Sequence, residues 1–138
     1  MTESTLIRFY CQYGGHHPIA GEVWYRIAVA DGYQSERYGR YLCAALTMMV
    51  HTPSECLNVM TLIDSVAAGE SEEECWGLND TSVTFNADGA QVEILIEEDP
   101  DMSAAHFSLQ EYRQVVYGWH QFLLMPESLE SQLQLVLA

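Results

Sequence analysis

Carboxylates are the main chemical resource of this chain. Glu70, Glu72, Glu73 and Glu74 fall within five positions, and Glu93, Glu97, Glu98, Asp99 and Asp101 fall within nine. Two carboxylates in contrasting environments can divide acid and base work, typically with one of them buried. Clustered acids can also hold a hard cation when their oxygens converge and supporting groups orient them. Neither pattern is met here. The acids sit in polar surroundings, and Asp99-x-Asp101 lacks the spacing of a calcium loop. Their expected role is a solvated, docking-competent charge.

The histidines give no catalytic constellation. His16 and His17 are adjacent in a Gly/Pro-rich stretch, so their rings diverge. His51 falls near a helix C-terminus, where positive charge is favoured. His106 and His120 have no nearby Ser, Cys or Asp in a recognisable motif. Cys11, Cys43, Cys56 and Cys75 form no C-x-x-C pair, which argues against a zinc knuckle. Cys43 and Cys56 lie in apolar helical patterns and read as small buried hydrophobes. No G-x-S-x-G, P-loop, G-x-G-x-x-G or H-E-x-x-H pattern occurs. No catalytic residue, metal ligand or cofactor is assigned, and a non-enzymatic role is expected. Tyrosine and tryptophan anchor many protein interfaces. Tyr13, Tyr33, Tyr38 and Tyr117 are the aromatics least bound to a core pattern, and Tyr117 joins the carboxylates as an expected partner contact.

The charge is lopsided. Twenty Asp plus Glu face five basic residues, for a formal charge of -15. All five are arginines, and Lys is absent. Such a field repels nucleic acid and anionic membranes, and it speeds encounter with a basic partner. The 138 residues fit one domain, 1–138. The start, MTESTLIRF, has no basic run followed by a long apolar one, so no secretory leader is expected. No apolar run is long enough to span a bilayer. A reducing, cytoplasmic setting is the expectation.

The elements that position these groups follow from periodicity. Thr5 to Tyr13 alternates, with Ile7, Phe9, Cys11 and Tyr13 on the core side. Gly14-Gly15-His16-His17-Pro18 reads as a break. Glu22 to Ala30 reads as a second strand, with Val23, Tyr25, Ile27 and Val29 on one face. Ser35 reads as the N-cap of a helix to about His51, with Tyr38, Tyr41, Leu42, Ala45, Leu46 and Met49 as its stripe. Thr52-Pro53-Ser54-Glu55 is a capping box with proline at the first helical position. That second helix runs to about Ala68, buries Val59, Leu62, Ile63 and Val66, and ends at Gly69. Residues 70–74 read as an acidic linker or the first turn of a short helix, and Gly77 and Asn79-Asp80 as irregular.

A hairpin follows. With Asp88-Gly89 as a two-residue turn, Ala87 pairs with Ala90, Phe85 with Val92 and Val83 with Ile94. These apolar pairs share one face, and Thr84, Glu93 and Glu97 lie on the other. Ser108 and Glu111 form a second capping box, and Phe107 with Tyr112 a hydrophobic staple. Tyr112, Val115, Val116, Trp119, Phe122 and Leu123 form the buried stripe, while Arg113, Gln114, Tyr117, His120 and Gln121 lie elsewhere. Met125-Pro126 ends that helix. Residues 126–138 read as a final short helix. The fold class is α+β, with one antiparallel sheet of about four strands against three to four α-helices.

A small, lysine-free, strongly acidic α+β chain of this kind resembles the immunity proteins of bacterial toxin systems, including those of contact-dependent growth inhibition. The likeness covers about residues 70–124, where an acidic hairpin precedes a helix opened by F-S-L-Q-E-Y and carrying W-H-Q-F-L near its end. It assigns no role to individual residues. It implies a cytoplasmic inhibitor of a cognate toxin, often a nuclease, whose active site it covers. Two other classes stand beside it: a phage or plasmid anti-defence protein that mimics nucleic-acid charge, and a small enzyme with a His or Cys site.

Overall fold

The computed structural model describes residues 4–78, 80–95 and 101–137. The chain is α+β, as its patterning predicts, but its strands form two sheets rather than one. The first sheet has the order β2-β1-β7, from β1 (Thr5–His17), β2 (Gly21–Gly32) and β7 (Gln132–Leu137). The second has the order β3-β4-β5-β6, from β3 (Glu73–Leu78), β4 (Thr81–Asn86), β5 (Gly89–Ile94) and β6 (His106–Phe107). All pairings are antiparallel.

Helices fill the space between. A helical path runs through α1 (Ser35–Arg37), a π-helical segment Tyr38–Cys43 and α2 (Ala44–Met49), followed by α3 (Pro53–Ala67) and α4 (Leu109–Leu123). Both α2 and α4 touch both sheets. Edge-on packing of Phe9 against Trp119 at 4.9 Å ties α4 to the first sheet, and Phe85 against Tyr112 at 5.4 Å ties it to the second. Such pairs add to plain apolar burial.

The helical stripes are as the periodicity predicts. Tyr38, Tyr41, Leu42, Ala45, Leu46 and Met49 are all buried, as are Val59, Ile63 and Val66. The start of the first helix differs. Gln34, not Ser35, occupies the N-cap, in the left-handed conformation with φ 55°. Its side chain accepts from Arg37 Nε at 2.8 Å, which holds the turn. The widened π-helical turn keeps Tyr38, Tyr41, Leu42 and Cys43 all buried, a broader apolar arc than α-spacing gives.

Both capping boxes are recognisable. Ser108 Oγ accepts from Glu111 N at 3.0 Å, and Glu111 Oε2 accepts from Ser108 N at 3.3 Å. Glu111 Oε1 also accepts from the Tyr38 hydroxyl at 2.5 Å, binding α4 to the π-helical turn. At α3, Thr52 Oγ1 accepts from Glu55 N as expected, but Glu55 Oε1 reaches back to His51 N at 2.9 Å rather than to Thr52 N.

Four expectations about strand extent and register are corrected. The Gly14-Gly15 stretch does not end β1, which bulges between Tyr13 and Gly15 and continues to His17. Tyr13 therefore sits on an arm beyond the β7 pairing and is 44% exposed. Residues 73–78 form strand β3, because pairing with β4 overrides the poor strand preference of glutamate. Residues 132–137 form β7, not a helix.

The hairpin register is the fourth. Asn86 pairs with Gly89, Phe85 with Ala90, and Val83 with Val92, so the turn is Ala87-Asp88. Asn86 Oδ1 accepts from Asp88 N at 2.9 Å and shapes the turn one residue earlier than the Asp-Gly rule suggests. The shift is by two residues, so both strands keep the expected faces inward.

Gly89 is held by its neighbour. Its φ is +134°, and a Cβ there would lie 2.4 Å from the Phe107 carbonyl oxygen. Gly89→Ala combines a strained backbone with overpacking at about 1–3 kcal/mol each, so a loss of about 2–6 kcal/mol is expected. The urea midpoint of the purified variant measures it.

Candidate partner-binding surface

The expected contact residues do not share one face. In the second sheet, Val83, Phe85, Ala90 and Val92 are buried. Strand alternation then turns Glu73, Cys75, Ser82, Thr84, Gln91, Glu93 and His106 to the opposite, outer face. Glu93 lies where the sequence places it. Glu73 joins it from β3, within a stretch whose acids read as a linker or the first turn of a short helix. Glu74 pairs with Phe85 and sits half-buried on the core side, at the sheet edge. Glu70 and Glu72 are exposed in the α3–β3 connection.

Glu97, Glu98 and Asp99 lie outside the described residues. Asp101 serves local structure. Its Oδ1 accepts from Ser103 Oγ at 2.8 Å and from Ala104 N at 3.1 Å. The Ser103 hydroxyl, with help from Ala104 N and Arg40, holds its carboxyl below the usual range. It belongs to a turn beside a mixed-charge cleft of about 300 Å³ lined by Glu36, Arg37, Arg40 and Tyr41 among others. Tyr117 is 52% exposed on the solvent side of α4, whose buried side covers the core face of the second sheet through Tyr112. It is therefore separate from the Glu73–Glu93 face.

The carboxylates divide into engaged and unengaged groups. Asp31 pairs with Arg8 at 2.7 Å and Asp64 with Arg113 at 2.6 Å. Hydrogen bonding from Arg113 lowers the Asp64 pKa. Glu22 accepts from the Tyr13 hydroxyl and meets His16 Nδ1 at 2.8 Å, and its pKa is lowered chiefly by the tyrosine. By contrast, among the described residues no hydrogen bond or ion pair engages the side chains of Glu70, Glu72, Glu73, Glu74 or Glu93.

Spacing limits the chemistry of the open face. Glu73 and Glu93 stand two strands and four residues apart, about 16 Å between backbones at ordinary sheet spacings. A glycosidase-type pair needs its carboxyl groups about 5–9.5 Å apart, nearer than side chains standing parallel on one sheet face bring these two. Cys75 and His106 share a row but are three strands apart, about 14 Å. That is too far for a thiolate–imidazole pair. Among the described residues, no three His, Cys, Asp or Glu side chains converge as a metal cage. No helix among them is long and apolar enough to cross a membrane.

Three further titratable groups are held in the core. Burial pushes the Cys43 and Cys56 thiols up to about 12 and, with the Glu111 hydrogen bond, Tyr38 to about 12. In each case the native state keeps the proton longer than the unfolded chain. Stability is thus intact below the ordinary thiol value near 9 and is lost as pH rises toward 12. Cys43 alone contributes up to about 1.4 kcal/mol per pH unit across that window. Urea midpoints from neutral to strongly basic pH are expected to fall, and Cys43→Ala with Cys56→Ala should flatten the fall.

Sequence reading missed the arginines' work. Arg26 donates to the Phe122 and Met125 carbonyls at 2.9 and 2.7 Å and caps the end of α4. Arg37 donates to the Ala104 and His106 carbonyls and lies over the Tyr38 and Phe107 rings. Their positions within a strand and a first helical turn carry no local signal of these distant partners.

No protein-family model, curated protein or solved structure matches this chain.

Proposed function

We propose that this protein is a non-catalytic acidic binding domain that captures a basic protein toxin, a nuclease domain, and covers the surface that meets its substrate. The observation that carries this reading is the set of unengaged carboxylates. Glu73 and Glu93 project from an open sheet face, and Glu70 and Glu72 stand exposed in the connection that leads into it. A nuclease must offer Arg and Lys to phosphates. Fixed carboxylates on a rigid sheet can meet the same groups, which speeds encounter and rejects wrong partners.

Two details support binding over charge mimicry of nucleic acid. The strand between Glu73 and Glu93 offers Ser82, Thr84 and Asn86, all uncharged, where a phosphate mimic calls for a closely spaced acidic row. The acidic residues also bracket hydrogen-bonding side chains, the usual composition of a protein interface rim. All four cysteines are free thiols, which suits the reducing, cytoplasmic setting that belongs to this proposal.

The immobilised protein, exposed to extract from its native source at low salt, is expected to retain a basic protein that elutes as salt rises. Retention of acidic or neutral proteins alone, at any salt, overturns the reading.

A further inference from the structure

The first sheet has an open outer face of opposite character. Ile7, Phe9 and Cys11 point inward with Leu133, Leu135, Leu137, Ala28 and Ala30. Alternation therefore turns Leu6, Tyr10, Tyr25, Ile27, Val29 and Val136 outward. Tyr25 is 53% and Val136 60% exposed. Leu129, 71% exposed, lines a surface hollow with Arg8, Tyr10, Gln132 and Gln134 at the margin of this face. Sequence reading placed Val23, Tyr25, Ile27 and Val29 together. The structure shows that this face looks away from the core, which instead receives Trp24, Ala28 and Ala30.

Charge singles this face out. The chain carries -15, yet the outer side of β1, β2 and β7 in the paired region holds only Arg8 and Asp31, which neutralise each other at 2.7 Å. Apolar surface of this kind, edged by glutamines, marks a contact site. A basic partner gains nothing from a neutral face. A second copy of this chain, which would be repelled at the acidic surfaces, meets no net charge here. Across a two-fold axis, Arg8 and Asp31 of one copy can also pair with Asp31 and Arg8 of the other.

We propose that this face is the contact between two copies of the chain in a two-fold symmetric dimer. The Glu73–Glu93 face lies on the other sheet and stays open in that dimer. The proposal rests on the apolar, neutral character of the first sheet and not on the toxin reading.

Sedimentation equilibrium of the full chain tests it. The expected mass is twice the 15.6 kDa of one chain at about 200 µM, and the dimer should tighten at about 0.5 M salt as mutual repulsion is screened. Tyr25→Glu with Val136→Glu should weaken it at least tenfold, with circular dichroism and thermal midpoint close to those of the parent. Tyr25→Phe with Val136→Ile should retain it. A single-chain mass in both salts overturns the proposal. So does a dimer that the glutamate variant leaves intact, or one that salt dissociates.

Discussion

Trp119→Ala is expected to leave most of the chain unfolded at 25 °C. Trp119 is 2% exposed and packs edge-on to Phe9 and beside Phe122. It thereby joins α4 to the first sheet. Its Nε1 also donates to the Val50 carbonyl at 2.8 Å, where the chain leaves α2. Removing the ring costs about 3–5 kcal/mol in transfer and cavity terms. Orphaning the buried carbonyl adds about 1–3 kcal/mol. The sum rivals the 5–15 kcal/mol that holds a typical domain. Trp119→Phe separates the two terms, since it keeps an aromatic ring and loses only the donor and some volume. Chemical unfolding followed by far-ultraviolet circular dichroism is the measurement, with the phenylalanine variant expected folded but less stable.

Reversing Glu73 and Glu93 together to lysine is the second large change expected. The net charge falls from -15 to -11, and both reversals lie on one open face. Steering by such fields alters association rates by about ten- to a thousand-fold. With two of many acids changed, association with a basic partner of the kind proposed should slow about tenfold at low salt. At about 0.5 M salt, where the Debye length shrinks to a few ångström, the two proteins should associate at similar rates. Neither glutamate has a side-chain partner among the described residues, so stability should hold. An equal double reversal at Asp64 and Glu127 is the contrast, because both are exposed and stand away from the second sheet's outer face.

The helices were legible because burial repeats locally. The Tyr38-to-Met49 and Tyr112-to-Phe122 stripes need only helical spacing, and the two capping boxes need only four adjacent residues. Strands posed a different problem, since their partners are remote. Glu73 to Leu78 reads as polar and acidic until β4 supplies the pairing. Gln132 to Leu137 did carry a usable signal: Gln132, Gln134 and Val136 alternate with Leu133, Leu135 and Leu137, a period of two that outranks the helical spacing of Leu129 and Leu133.

The surface was less legible than the core. Alternation shows that Tyr25, Ile27 and Val29 share a face, but not which side of the sheet faces the helices. Arg26 resolves it, because its guanidinium must reach the α4 carbonyls from the core side. The acidic residues were correctly seen as two sequence clusters. Strand pairing redistributes them: Glu73 and Glu93 come to one face, Glu74 turns to the other side, and Asp101 is drawn into its own turn. Tyr117 keeps its exposure but stands apart from all of these.

The most direct test of the central claim is a nucleic-acid cleavage assay on the basic protein retained by this chain. One equivalent of the acidic protein should abolish cleavage at low salt, and Glu73→Lys with Glu93→Lys should inhibit less at the same concentration. A retained protein that cuts at its full rate while bound, or that has no nuclease activity at all, contradicts the account.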